Sequence, residues 1–60
     1  MSNSVNILVV EDESIVSKDI QNSLKKIGYN VVGACNNAQE AIDLATELHP
    51  DVVLMDIMLK

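Results

Sequence analysis

The sequence predicts an α/β fold with a parallel sheet, because three short aliphatic runs alternate with two segments of helical periodicity. The aliphatic runs are Ile7–Val10, Val31–Ala34 and Val52–Met55. Such runs are typical of strands that are buried on both faces of a parallel sheet, whereas half-exposed strands alternate apolar and polar residues. Each interval between runs has room for one helix and two short loops, which suits two overlapping βαβ units with right-handed crossovers.

The first helical segment follows the first strand. Lys25 and Lys26 lie in its last turn, where cations interact well with the helix macrodipole, and Gly28 is placed to end the helix. Its predicted buried stripe consists of Ile15, Val16, Ile20, Leu24 and Ile27. The predicted solvent side consists of Ser17, Lys18, Gln21, Asn22, Lys25 and Lys26.

The second helical segment lies between the second and third strands. Asn37 is a favourable N-cap, Glu40 completes a box-like pair with it, and Pro50 ends the helix just after His49. The macrodipole and capping account for His49, so it is not predicted to be a functional residue. The predicted buried stripe consists of Ala38, Ala41, Ile42, Ala45 and Leu48.

Length, charge and cysteine content exclude several classes of protein. The chain has 60 residues and a formal net charge of -5, so it forms one small domain at most. The acidic balance disfavours direct binding of nucleic acid, which needs clusters of Lys and Arg. The single cysteine, Cys35, excludes an internal disulfide and fits a cytoplasmic, reducing compartment, where it is expected to be a small buried residue. No apolar run is long enough to span a membrane.

Acidic residues follow two of the three predicted strands. Glu11, Asp12 and Glu13 come after the first strand, and Asp56 comes after the third. Ligands of open α/β sheets bind outside the carboxyl ends of the strands. If strands 1 and 3 are neighbours, these carboxylates converge at one edge and form a site with the oxygen ligands that Mg²⁺ prefers.

A simpler role is available for part of this cluster. An acidic residue at a strand-to-helix junction can stabilise the helix N-terminus alone, and this explanation is favoured for Glu13. For Asp12 and Asp56 we favour the metal site. Asp56 is the stronger candidate because it lies within an apolar stretch, where a charge is costly unless a cation or hydrogen bonds offset it.

Two segments resemble a known family. Leu8–Glu13 and Val53–Leu59 are similar to the first and third strand motifs of two-component response-regulator receiver domains, and the spacing of Asp12 and Asp56 also agrees. The resemblance implies a flavodoxin-like open parallel sheet with strand order 2-1-3. It covers essentially the whole chain.

The resemblance also implies roles for individual residues. Asp56 would accept a phosphoryl group from a histidine kinase or phosphotransfer protein. Asp12, Asp56 and the backbone carbonyl of Met58 would ligate Mg²⁺ directly, and Glu11 would act through a metal-bound water. The phosphorylated domain would then switch an output, so the chain is expected to be a regulatory phosphoacceptor and not an enzyme.

Two features depart from the family pattern. Receivers commonly carry Pro four residues after the phosphoacceptor, and this chain has Lys60 there. A receiver also uses a Ser or Thr after a fourth strand and a Lys after a fifth. Residues 1–60 are therefore expected to be the N-terminal portion of a single receiver domain.

Two other functions compete with that of a phosphoacceptor. The chain could be a non-catalytic interaction module, because an uncovered third strand would leave an apolar edge that pairs with another copy. It could also be an aspartate-nucleophile phosphatase of the haloacid dehalogenase type. That family needs a second Asp two residues after the nucleophile, where this chain has Met58.

Overall fold

The computed structural model of the chain describes residues 4–56, which form three strands and two helices in alternation. Strand β1 spans Asn6–Glu11, helix α1 Ser14–Lys26, strand β2 Asn30–Cys35, helix α2 Ala38–Leu48 and strand β3 Val52–Asp56. The predicted order of elements is confirmed. Each strand extends one residue beyond its aliphatic run, at one end or at both.

The three strands form a parallel sheet in the order β2-β1-β3, as predicted. Strand β1 is central, and its residues Leu8, Val9 and Val10 are fully buried. Strand β3 pairs with β1 in unbroken register, from Ile7 opposite Val52 to Glu11 opposite Asp56. Right-handed crossovers in this strand order place α1 and α2 on opposite faces of the sheet.

The pairing of β2 with β1 contains a bulge. Ile7 lies opposite Val31 and Leu8 lies opposite Gly33, so Val32 is an extra residue in β2. A Cβ atom on Gly33 would lie 2.9 Å from Cδ1 of Leu48 and 3.2 Å from Cδ1 of Leu8. Glycine at this position therefore leaves room for the side chains of Leu48 on α2 and Leu8 on β1.

Helix α2 packs on a cluster of buried residues that comprises Leu8, Val10, Cys35 and Ala41, with Leu44 and Ala45 partly buried against it. The helix begins as predicted, since Asn37 Oδ1 accepts a 2.8 Å hydrogen bond from the Glu40 amide. The predicted stripe is wrong at Ala38, which is exposed, and at Ile42, which is 60% exposed. Leu44 lies on the buried face instead, where it packs against the cluster beneath the helix.

Helix α1 buries a different face from the one predicted. Ile15 and Ile27, expected in the stripe, are 79% and 70% exposed, whereas Ser17, expected on the solvent side, is buried. Ile20 and Leu24 are half-buried, as is Gln21. The buried face is thus rotated towards Ser17.

The end of α1 matches the prediction. Gly28 has a φ of 100°, a conformation that disfavours residues with a Cβ. The Gly28 amide donates to the Lys25 carbonyl, and the Tyr29 amide donates to the Leu24 carbonyl. These two bonds form the Schellman arrangement that commonly ends a helix at glycine.

The amino-terminal end of the sheet is closed by a polar network that links all three strands. The Asn6 amide donates a 2.8 Å hydrogen bond to Asp51 Oδ2, and the Asp51 amide donates to the Asn6 carbonyl at 2.8 Å. The side chain of Asn30 donates to Asn6 Oδ1 at 2.9 Å. The network fixes the relative register of the strand starts.

Strand β3 is exposed along its whole length in the part of the chain that the structure describes. Its large apolar side chains, Val52, Val53, Leu54 and Met55, are 39–55% exposed. Both faces of this strand are therefore much less covered than those of β1. Between residues 4 and 56, neither helix has the length and apolar character needed to cross a bilayer.

Candidate functional site

The candidate site lies at the carboxyl end of the sheet, where β1 and β3 end side by side. Glu11, the last residue of β1, is directly opposite Asp56, the last residue of β3. Asp12 and Glu13 follow in the loop that leads into α1. The parallel register therefore brings the predicted residues of both strands to one edge, as the strand order requires.

Three of these carboxylates form a tight cluster. Oxygen atoms of Glu11, Asp12 and Glu13 all lie within 4.8 Å of one another. Glu11 is only 4% exposed, whereas Asp12 and Glu13 are exposed. One oxygen of Glu11, Oε2, accepts a 2.9 Å hydrogen bond from the Glu13 backbone amide. This bond orients the Glu11 carboxylate within the loop.

Like charges in this cluster alter the titration of Glu11. The Glu13 amide acts to lower the pKa of Glu11, because it stabilises the charged carboxylate. Burial, a hydrogen bond with Asp12 and the charges of Asp56 and Asp12 act in the opposite direction. These effects prevail, and the pKa of Glu11 is raised above its usual value. The site therefore favours any partner that reduces its negative charge.

The donor set fits a hard divalent cation. Carboxylate oxygens are the ligands that Mg²⁺ takes in proteins, and Mg²⁺ completes its octahedron with water. The exposed carboxylates of Asp12 and Asp56 leave space for such waters. Glu11, Asp12 and Asp56 would hold the ion, which would supply positive charge to neutralise oxygens that carry negative charge.

One predicted site residue is not described by the structure, and one residue that was not predicted to belong to the site joins its carboxylate cluster. Met58, predicted to contribute its backbone carbonyl, lies outside the described residues. Glu13, predicted to stabilise the start of α1, is at the N-cap position but forms no side-chain cap hydrogen bond. Its carboxylate lies with those of Glu11 and Asp12 instead. Among residues 4–56, Asp56 does not join that tight cluster and faces it from the neighbouring strand.

A polar cleft of about 420 Å³ adjoins the cluster on the β2 side. Glu11 and Asp12 form one wall and the α1 residues Ser14, Ser17, Lys18 and Gln21 another. The burial of Ser17 in this cleft was not predicted, because a serine next to a lysine in a helix is typical of a solvent-exposed face. The regular spacing of these four residues along α1 was the signal for a shared surface.

Cys35 lines the same cleft at the end of β2 and is buried. Burial raises the pKa of the Cys35 thiol, so the thiol stays protonated at neutral pH. This agrees with the prediction that Cys35 is a small buried residue. It is a poor nucleophile in this setting.

Comparison with known proteins decides the family. The profile of the response regulator receiver domain matches residues 7–60. The chain belongs to the response regulator receiver family. The predicted resemblance, the strand order and the two-component setting are thereby confirmed. Members of this family are mainly regulatory proteins, typically bind Mg²⁺ and interact with histidine kinases or phosphotransfer proteins.

Curated relatives of this receiver have diverse names. It is 44% identical over 52 residues to the transcriptional regulatory protein PdtaR of Mycobacterium tuberculosis. The aligned segment covers 85% of this chain and 25% of that protein. It is 37% identical over 51 residues to the chemotaxis protein CheY of Thermotoga maritima, covering 85% of this chain and 42% of that protein.

A third relative is named as an enzyme. The protein-glutamate methylesterase/protein-glutamine glutaminase of Archaeoglobus fulgidus is 39% identical over 51 residues, which is 85% of this chain and 15% of that protein. The chain thus spans less than half the length of each of these relatives. The three names are those of a transcriptional regulatory protein, a chemotaxis protein and an enzyme.

Proposed function

We propose that this receiver is the phosphoacceptor of a two-component phosphorelay and that Asp56 receives the phosphoryl group. The observation that carries the proposal is the register of the two strand ends, which sets Asp56 directly opposite Glu11. Asp56 is exposed, so a partner protein can reach its carboxylate. The aspartate is also the end of a strand, and the sheet holds it in place.

The proposed reaction is a displacement at phosphorus. One oxygen of the Asp56 carboxylate attacks the phosphorus atom of a phosphohistidine on the partner, and the P–N bond breaks. The electron pair of that bond leaves with the imidazole nitrogen, and Asp56 becomes an acyl phosphate. Bound Mg²⁺ would supply charge neutralisation at the phosphoryl oxygens, while Glu11 and Asp12 hold the ion at the edge of the sheet.

The phosphoacceptor is tested by labelling with acetyl phosphate in the presence of Mg²⁺. The expected result is a mass increase of one phosphoryl group that is absent without Mg²⁺ and absent in Asp56→Asn. Asp19→Asn is the matched control, because Asp19 is an exposed aspartate on α1 outside the site. Labelling that survives Asp56→Asn would assign the acceptor to another residue and contradict the proposal.

A second candidate function is self-association through β3, in which the receiver also serves as an interaction module. The exposed apolar side chains of this strand support it, since contiguous apolar surface commonly marks a protein interface. The strand also pairs on one side only, within the described sheet. An open strand edge can add a strand from a second copy.

Sedimentation velocity tests the self-association. The chain is expected to sediment as a dimer or larger species, and Met55→Lys is expected to shift it to the monomer. Ile42→Lys is the matched control, because Ile42 is 60% exposed, similar to Met55 at 55%, but lies on α2. A monomeric wild-type chain, or equal effects of the two variants, would contradict association through β3.

A further inference from the structure

The two buried polar side chains between residues 4 and 56 face one cleft. Glu11 is 4% exposed and Ser17 is 8% exposed. Both line the cleft beside the carboxylate cluster. Glu11 belongs to the site described above, but the acidic site itself gives no reason for a buried hydroxyl one helical turn further along α1.

The hydrogen bonding of Ser17 leaves its proton available. Gln21 Nε2 donates a 3.0 Å hydrogen bond to Ser17 Oγ, so the hydroxyl oxygen acts as an acceptor. A helical hydroxyl can instead donate to the carbonyl four residues earlier, as Thr46 does to Ile42 at 2.9 Å. Over residues 4–56, the bond with Gln21 is the one hydrogen bond of the Ser17 side chain, because the Ser17 bond to the Glu13 carbonyl comes from the backbone amide. The hydroxyl proton therefore meets no protein acceptor.

The cleft can supply the missing acceptor. A buried hydroxyl proton without an acceptor is costly, and ordered water commonly satisfies such groups. The cleft volume of about 420 Å³ accommodates several waters. The carboxylate of Glu11, which lines the same cleft, is a strong acceptor for a water held there.

We propose that Ser17 is a positioning residue for the cation site, and that its hydroxyl donates to a water which in turn donates to the Glu11 carboxylate. Gln21 fixes the orientation of the hydroxyl by occupying its acceptor side. The inference rests on the proposed function, in which Glu11 helps to hold Mg²⁺. Groups that orient metal ligands in this way commonly change metal affinity by roughly tenfold or more when removed.

Titration with Mg²⁺ alone, followed by calorimetry, tests this role. Ser17→Ala is expected to bind Mg²⁺ roughly tenfold more weakly than the wild type. Ser23→Ala carries the same substitution on an exposed position of α1 and is expected to bind like the wild type. Ser17→Thr restores a hydroxyl and should recover most of the affinity. The metal-free melting temperature of Ser17→Ala should stay close to that of the wild type.

Gln21→Met provides a second variant that keeps the length of the side chain and removes the amide donor. It is expected to weaken Mg²⁺ binding in the same direction, by a smaller factor. Unchanged Mg²⁺ affinity in both Ser17→Ala and Gln21→Met overturns the inference, as does an equal loss in Ser23→Ala. Labelling of Asp56 in those same samples then shows that the proposed function stands. A wild-type chain that binds no Mg²⁺ overturns both.

Discussion

The two ends of the sheet place polar groups in opposite situations. At the amino-terminal end, Asn6 bonds directly to both Asn30 and Asp51 across the strands. At the carboxyl end, Glu11 and Asp56 lie opposite each other with like charges, and Asp12 adds a third. One end joins the strands, and the other retains an electrostatic repulsion that a bound cation would reduce.

The two arrangements of polar groups have different consequences for stability and for ligand binding. Polar groups that satisfy each other stabilise the fold but have little capacity left for a ligand. Crowded carboxylates destabilise the metal-free fold and bind cations for the same reason. Substitutions at the two ends should therefore separate stability from metal binding, and four experiments test this separation.

The largest effect is expected for Asp12→Asn at the carboxyl end. Loss of a direct carboxylate ligand should weaken Mg²⁺ binding by roughly a hundredfold. The metal-free chain should become more stable, because one of the clustered like charges is removed. Calorimetric titration and urea unfolding measure the two effects. Asp19→Asn is the control, and wild-type Mg²⁺ affinity in Asp12→Asn would contradict the assignment.

The next effect is that of Mg²⁺ on the wild-type fold. At a free concentration one hundred times Kd, a ligand that binds only the folded state adds about 2.7 kcal/mol to the free energy of unfolding. Urea unfolding with MgCl₂, compared with NaCl of equal ionic strength, measures this increment. The increment should vanish in Asp12→Asn. If NaCl produces the same gain, the stabilisation is general screening and not a site.

A smaller effect is expected for Asp51→Ala at the amino-terminal end. The variant loses the carboxylate that accepts from the Asn6 amide, and the free energy of unfolding should fall by about 1 kcal/mol. Mg²⁺ affinity and labelling of Asp56 should not change. Urea unfolding and acetyl phosphate labelling check the two expectations. Loss of labelling in a folded Asp51→Ala chain would show that the ends are coupled.

The smallest effect is expected for Asn30→Ala. Its side-chain bond to Asn6 is exposed to solvent, so its loss should cost about 0.5 kcal/mol in the free energy of unfolding. The same urea experiment measures it. A cost greater than that of Asp51→Ala would mean that Asn30, and not Asp51, is the main link between the strand starts.

Much of the fold was predictable because local patterns and packing agree along the strands. The continuous aliphatic character of Ile7–Val10 predicted a central strand, and Asn37 and Gly28 predicted the start of one helix and the end of the other. The face that α1 buries was not predictable. Apolar residues at its two ends, Ile15 and Ile27, widened the predicted stripe but lie beyond the contact with the sheet.

The sequence predicted which residues form the candidate site, but it did not predict their burial or their hydrogen bonds. The positions of Glu11, Asp12 and Asp56 at strand ends follow from the strand pattern and the strand order. The burial of Glu11 and its bond to the Glu13 amide depend on the geometry of one loop. The contribution of Ser17 depends on the rotation of α1, which no periodicity in the sequence specifies.

The bulge in β2 has an evolutionary consequence. Because Val32 is an extra residue, Val31 shares a face with Ile7 whereas Gly33 shares a face with Leu8. A one-residue deletion elsewhere in β2 would turn the following side chains to the wrong helix. Deletion of either Val31 or Val32 would instead give the same shorter strand, in which every side chain keeps its face of the sheet. Insertions and deletions of one residue among related receivers should therefore concentrate at this valine pair.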